Sequence, residues 1–280
     1  MSLKERFLQM KERFGSIASR FGKKEILAAG LLAVVIVTLI IVSSGYIEAV
    51  KGQQTVETIA PTEAPTQAPP VSHMIPGAAD KVLVQDELLA GCETYACTML
   101  FNILGYDLDI FTFANNYLDC HPVIEDEYGN KKGPDLYSGF AGTAYAGWGV
   151  YSPSMAKSMN RYLKDQKSEL TAYAYEDVPL ETLCAEYIDN DIPVMVWATT
   201  DMKESFVYGS WEVNYVDENA KYKLGDTFEW LCYEHCLVLI GYDEDEYFFD
   251  DSAAGMVSHF KKDVVDLRYK EIGSQCIVVK

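Results

Sequence analysis

Apolar residues run almost without interruption from Ile26 to Val42, broken only by Gly30 and Thr38, and Ser43, Ser44 and Gly45 extend the charge-free stretch to Tyr46. That length approaches the roughly 20 residues a helix needs to cross a bilayer, so one transmembrane helix is expected over 26–46. Before it, Lys4-Glu5-Arg6-Phe7 recurs as Lys11-Glu12-Arg13-Phe14, and Phe7, Met10, Phe14, Ile17 and Phe21 follow alternating steps of three and four. One helical face is then apolar and the others basic, a pattern suited to an anionic leaflet or to self-association through the N-terminal helix. From 47 to 76 the chain turns polar and then Thr- and Pro-rich, which predicts an extended linker of polyproline type.

The remaining residues, 77–280, carry alternating signals. Ala96, Met99, Leu100, Ile103 and Leu104 keep helical spacing, with Gly105 placed to end the helix. Ser152-Pro153 reads as a cap followed by a first-turn proline, and Leu180 to Ile188 as a third helix. Strands are expected at Ile192 to Thr199, at His235 to Tyr242 paired with Tyr247 to Asp251 across an acidic turn, and at Cys276 to Val279. A helical first half followed by an antiparallel sheet is an α+β pattern.

Charge orients the chain and narrows its partners. Residues 1–25 are net +4, whereas the rest is net −23. Basic residues before the apolar run place the N-terminus in the cytoplasm and the domain outside, a single-pass arrangement in contact with membrane lipid. A cleaved signal peptide would export the domain equally. So acidic a body repels phosphate backbones, and no nucleic-acid partner is expected.

The candidate chemistry begins at Cys92, which follows Gly91 and opens the first helix of the domain. The positive end of the helix dipole and the free amides there favour a thiolate, the form that attacks a carbonyl carbon. Such attack needs a base, a group that orients the base, and donors for the oxyanion. His235, at the start of a strong strand, is the candidate base; His73 in the linker, His121 in a polar stretch and His259 before a helix read as incidental. Glu93 is expected to cap the helix start. Seven cysteines on an exported chain permit three disulfides beside a free nucleophile, while a reduced buried set fits the apolar surroundings of Cys97, Cys184 and Cys276 equally. Cys232 to Cys236 invites a metal, but adjacent strand residues such as His235 and Cys236 point to opposite faces, so no metal or cofactor is expected.

Gln85 to Leu104, centred on Gly91-Cys92-Glu93, resembles the nucleophile segment of C39-like peptidases, and Glu234 to Asp243 is similar to their histidine strand. Gly133-Pro134-Asp135, Gly147-Trp148-Gly149-Val150, Pro193 to Trp197 and Gly273 to Cys276 also look like that family. The resemblance implies a papain-like cysteine peptidase fold, with Cys92 as nucleophile, His235 as base and Asp251 as the orienting acid. Asp250 is a rival orienter, because the hairpin loop length decides which aspartate shares a face with His235. By the same resemblance Gln85 falls where papain-like enzymes place an oxyanion donor. The implied substrate is a peptide or protein. The competing reading is a catalytically silent domain of the same fold that binds at the cell surface.

Overall fold

The computed structural model describes residues 72–280, and the basic segment, the transmembrane run and most of the linker lie outside the described residues. Among the described residues no helix is long and apolar enough to cross a membrane. In chain order the elements are β1 (His73–Met74), α1 (Cys92–Ile103), α2 (Ile110–Asn116), β2 (Cys120–His121), β3 (Ile124–Glu125), β4 (Lys131–Pro134), β5 (Phe140–Thr143), β6 (Ala146–Gly149) and α3 (Ser152–Asp165). They continue with β7 (Ala172–Glu176), α4 (Leu180–Glu186), β8 (Val194–Thr199), β9 (Val207–Tyr215), β10 (Thr227–Leu231), β11 (Glu234–Tyr242), β12 (Glu246–Asp251), β13 (Met256–Lys261), α5 (Lys262–Glu271) and β14 (Gln275–Val279).

The main sheet runs β13-β12-β11-β8-β14-β7, with every neighbouring pair antiparallel. Its central strands β8, β11 and β14 are buried along their whole lengths, which is why they read as continuous apolar runs rather than alternating ones. Helix α1 packs on β11, and ten of its residues, Cys92 through Phe101, are buried. It is enclosed on all sides, so no polar face shows in its sequence. Gly105, at φ +89°, takes the left-handed conformation that ends α1.

Several expectations need correction. The first half is not simply helical: β2 to β6 fill 120–149, where β2-β5-β6 form one small sheet and β3 and β4 join β9 and β10 in another, β10-β9-β4-β3. Strands β2 to β6 are two to four residues long, too short to display a period of two. Ser152 does not cap α3: it is the first helical residue, and its N–H and hydroxyl both donate to Gln275 Oε1. The linker also ends earlier than its composition suggests, because His73 and Met74 pair with Tyr242 and Gly241, and the Ile75 N–H donates to the Ile240 carbonyl at 2.8 Å.

Candidate active site

A turn over Leu88–Gly91 delivers the chain to α1. The Gly91 N–H donates to the Leu88 carbonyl, and a Cβ on Gly91 would sit 2.8 Å from Leu88 Cβ, so only glycine makes this approach. Cys92 follows as the first helical residue, where its backbone N–H has no intrahelical acceptor. Its side chain borders a cleft also lined by Gln85, Trp148, Glu234, His235 and Ala253.

His235 reaches that cleft from the start of β11, where it pairs with Ala198 of β8. Its Nε2 lies 2.9 Å from Asp251 Oδ1. The sequence leaves the choice of aspartate open, and a β-bulge makes it. Tyr242 pairs with Tyr247 across a four-residue loop, a register that carried along β11 would turn Asp250 toward the His235 face. Between Leu239 and Gly241 the register slips, so that Leu239 opposes Phe249 and Val238 opposes Asp250. The extra residue, Ile240, exchanges the faces, and Asp251 rather than Asp250 comes to His235.

Asp251 is nearly saturated with donors. Oδ1 accepts from the backbone N–H groups of Ala253 and Ala254, and Oδ2 accepts from the Ser258 hydroxyl. Burial works to raise its pKa, but His235, Ser258 and Ala254 together hold the carboxyl below the usual aspartate value. Asp250 is fully buried with neither oxygen hydrogen-bonded, and burial pushes it up to about 7.

Gln85 borders the cleft with its side-chain amide turned aside. Nε2 donates to the Leu88 and Leu89 carbonyls, both at 3.3 Å, while Oε1 accepts from the Ser252 hydroxyl and the Gln85 N–H donates to the Ser252 carbonyl. The strand carrying Asp251 and the segment leading to Cys92 are thereby tied directly together.

The thiol departs most from expectation. Its side-chain hydrogen bond goes to Glu93 Oε2 at 3.3 Å, not to His235. Burial, then the carboxylates of Glu93 and Glu234 and the Cys236 thiol, push the Cys92 pKa well above the usual range, against a smaller opposing pull from the Cys236 backbone. The helix dipole does not prevail over burial beside two acids. Glu93 does not cap the helix; it is completely buried, and its Oε1 accepts the Val150 N–H at 2.7 Å. Burial raises its pKa to about 7, the bonds from Val150 and Cys92 opposing. Glu234, only 9% exposed, has neither oxygen hydrogen-bonded; burial and the neighbouring Glu93 push it up strongly. Sequence reasoning missed both residues as site members, although each stands next to a reactive candidate, Cys92-Glu93 and Glu234-His235.

All seven cysteines are free. Cys97, Cys184, Cys236 and Cys276 are buried, and burial raises each thiol, as inert structural cysteines behave. His73 pairs with Asp191, and His121 stacks on Tyr215 with its rings 3.6 Å apart, both away from the cleft.

An α+β domain whose helix-opening cysteine and strand-borne histidine border one cleft has a papain-like architecture. The chain belongs to the Peptidase_C39 like family, whose profile matches residues 74–277. It is 24% identical to the uncharacterized protein YvpB of Bacillus subtilis (strain 168) over 196 residues, 69% of this chain and 70% of that one. A crystal structure from Bacillus anthracis, described as a C39-like peptidase, aligns with a TM-score of 0.59 and 20% identity, covering 75% of this chain and 98% of the other. That likeness establishes the C39-like peptidase fold.

Proposed function

We propose that this protein is a cysteine peptidase, held at the cell membrane by its N-terminal apolar run and acting outside the cytoplasm, that hydrolyses peptide or amide bonds with Cys92, His235 and Asp251. The observation that carries this reading is the 2.9 Å bond between His235 Nε2 and Asp251 Oδ1 in a cleft that also holds the Cys92 thiol. Asp251 is kept an acceptor by its donors, so Nε2 carries the proton and Nδ1 keeps the free lone pair. For turnover the thiol swings from Glu93 to Nδ1, gives up its proton there and attacks the carbonyl carbon. The Cys92 N–H and the Gln85 amide, released from the Leu89 carbonyl, meet the developing oxyanion. His235 then protonates the leaving amine and draws a proton from the water that hydrolyses the thioester.

The test is hydrolysis of a peptide library by the full chain beside its Cys92→Ala variant. Loss of at least about 10³-fold in rate is expected; full activity in the variant would refute the assignment. A second reading, a silent binding domain of the same fold, is favoured by the thiol's bond to Glu93 and its raised pKa. Under that reading, a peptide chloromethyl ketone leaves Cys92 unlabelled.

A further inference from the structure

Beside the nucleophile lies a donor set that the proposed peptide hydrolysis does not use. Cys92 Sγ and one carboxylate oxygen from each of Glu93 and Glu234 all fall within 4.8 Å of one another. Glu93 Oε1 is committed to the Val150 N–H, which turns Oε2 to the thiol, whereas both Glu234 oxygens lack a partner although the residue is nine-tenths buried. Among the described residues no Lys, Arg or His forms an ion pair with either glutamate. Two buried carboxylates facing a thiol without a cationic side chain leave a large desolvation cost that a bound cation would offset. The space between them is kept open by Gly149, where a Cβ would lie 2.6 Å from Glu93 Oε1 and 3.4 Å from Glu234 Oε2.

We propose that Cys92, Glu93 and Glu234 form a divalent zinc site that reversibly blocks the nucleophile. The donors select the metal: Mg²⁺ and Ca²⁺ take oxygen ligands, while Zn²⁺ accepts thiolate and carboxylate together. A tetrahedral zinc ion, with Zn–S about 2.3 Å and Zn–O about 2.0 Å, sets its donors about 3.3–3.5 Å apart. The thiol and Glu93 Oε2 already stand at 3.3 Å, and the remaining separations close by side-chain rotation. Cys92 and Glu234 both border the cleft, so the ion enters from solvent and keeps one position open toward it. On binding, one Zn–S and two Zn–O bonds form, and the thiol proton leaves to solvent together with the protons that the buried Glu93 and Glu234 carboxyls hold. The site places a metal on residues other than Cys232 to Cys236, the segment that draws attention in the sequence.

The test is titration of the full chain, purified in mild detergent, with Zn²⁺ and with Co²⁺ as a spectroscopic substitute. One equivalent should bind, and the cobalt form should show a thiolate-to-metal charge-transfer band that Cys92→Ser abolishes. Glu234→Gln should weaken Zn²⁺ binding at least about tenfold, with Glu93→Gln as the alternative variant should it misfold, while Cys232→Ser leaves binding unchanged. Absence of the thiolate band in the native protein, or unchanged affinity in the glutamate variants, would overturn the site. Because the readout is metal binding, the result stands apart from whether any peptide is cut; where turnover is measurable, Zn²⁺ should suppress it in the native chain and less so in Glu234→Gln.

Discussion

Two carboxylate environments meet at the start of β11. His235 and Glu234 are adjacent on that strand: His235 bonds Asp251 at the end of β12, and Glu234 lies close to Glu93 and the Cys92 thiol. All three acids are buried, yet they behave oppositely. Asp251 accepts from an imidazole, a hydroxyl and two backbone N–H groups and stays ionised below the usual range, whereas Glu234 has no donor and is pushed far up. Burial sets the cost of a charge, and the number of donors decides whether that cost is met. Asp250 repeats the lesson one residue from Asp251: the same burial without donors, and a pKa of about 7.

The largest expected effect comes from removing the satisfied acid. Asp251→Asn keeps shape but loses the charge that holds the His235 tautomer, so the rate of peptide hydrolysis should fall about 10³–10⁴-fold, while Asp250→Asn stays close to the native rate. Equal losses in the two variants would break the contrast between them. Next comes stability against pH. Asp250 has a folded pKa raised above the unfolded value of about 3.9, so ionisation opposes folding: the penalty is absent below pH 4 and grows until pH about 7. Asp250→Asn should therefore be more stable than the native protein by an amount rising at most about 1.4 kcal/mol per pH unit across that window, read from urea midpoints. Asp251 has the reverse sign: its contribution is present above the unfolded pKa and disappears as pH falls through the depressed folded value. The smallest effect is expected at Gly149→Ala, whose methyl must displace the Glu93 carboxylate. A loss of about 1–3 kcal/mol in thermal or denaturant unfolding is predicted, with the Cys92 thiol freed from its bond to Glu93 and more readily alkylated.

The sequence makes Cys92 and His235 visible as the candidate pair because their surroundings are strong local signals: a glycine before a helix-opening cysteine and a continuous apolar strand after His235. The buried strands β8, β11 and β14 are legible for the same reason. The choice between Asp250 and Asp251 is not, because it hangs on the extra residue Ile240, and a bulge inside an apolar run leaves no mark in composition. Glu93 and Glu234 are hidden differently. A glutamate in the first turn of a helix ordinarily serves as a cap or faces water, and nothing local reveals that β6 passes close enough to bury it. The short strands between 120 and 149 escape because they are set by pairing with distant partners, β4 with β9 among them, rather than by their own pattern.

The earliest strand of the domain has a mechanical consequence. His73 and Met74 pair with Tyr242 and Gly241, and the Ile75 N–H is fixed to the carbonyl of Ile240, the residue whose insertion brings Asp251 to His235. Any tension carried by the polypeptide upstream of His73 therefore falls first on the far end of the strand that presents the imidazole. β1 and β11 form one continuous load path, and a pull applied at His73 would be felt at the bulge before any other part of the sheet.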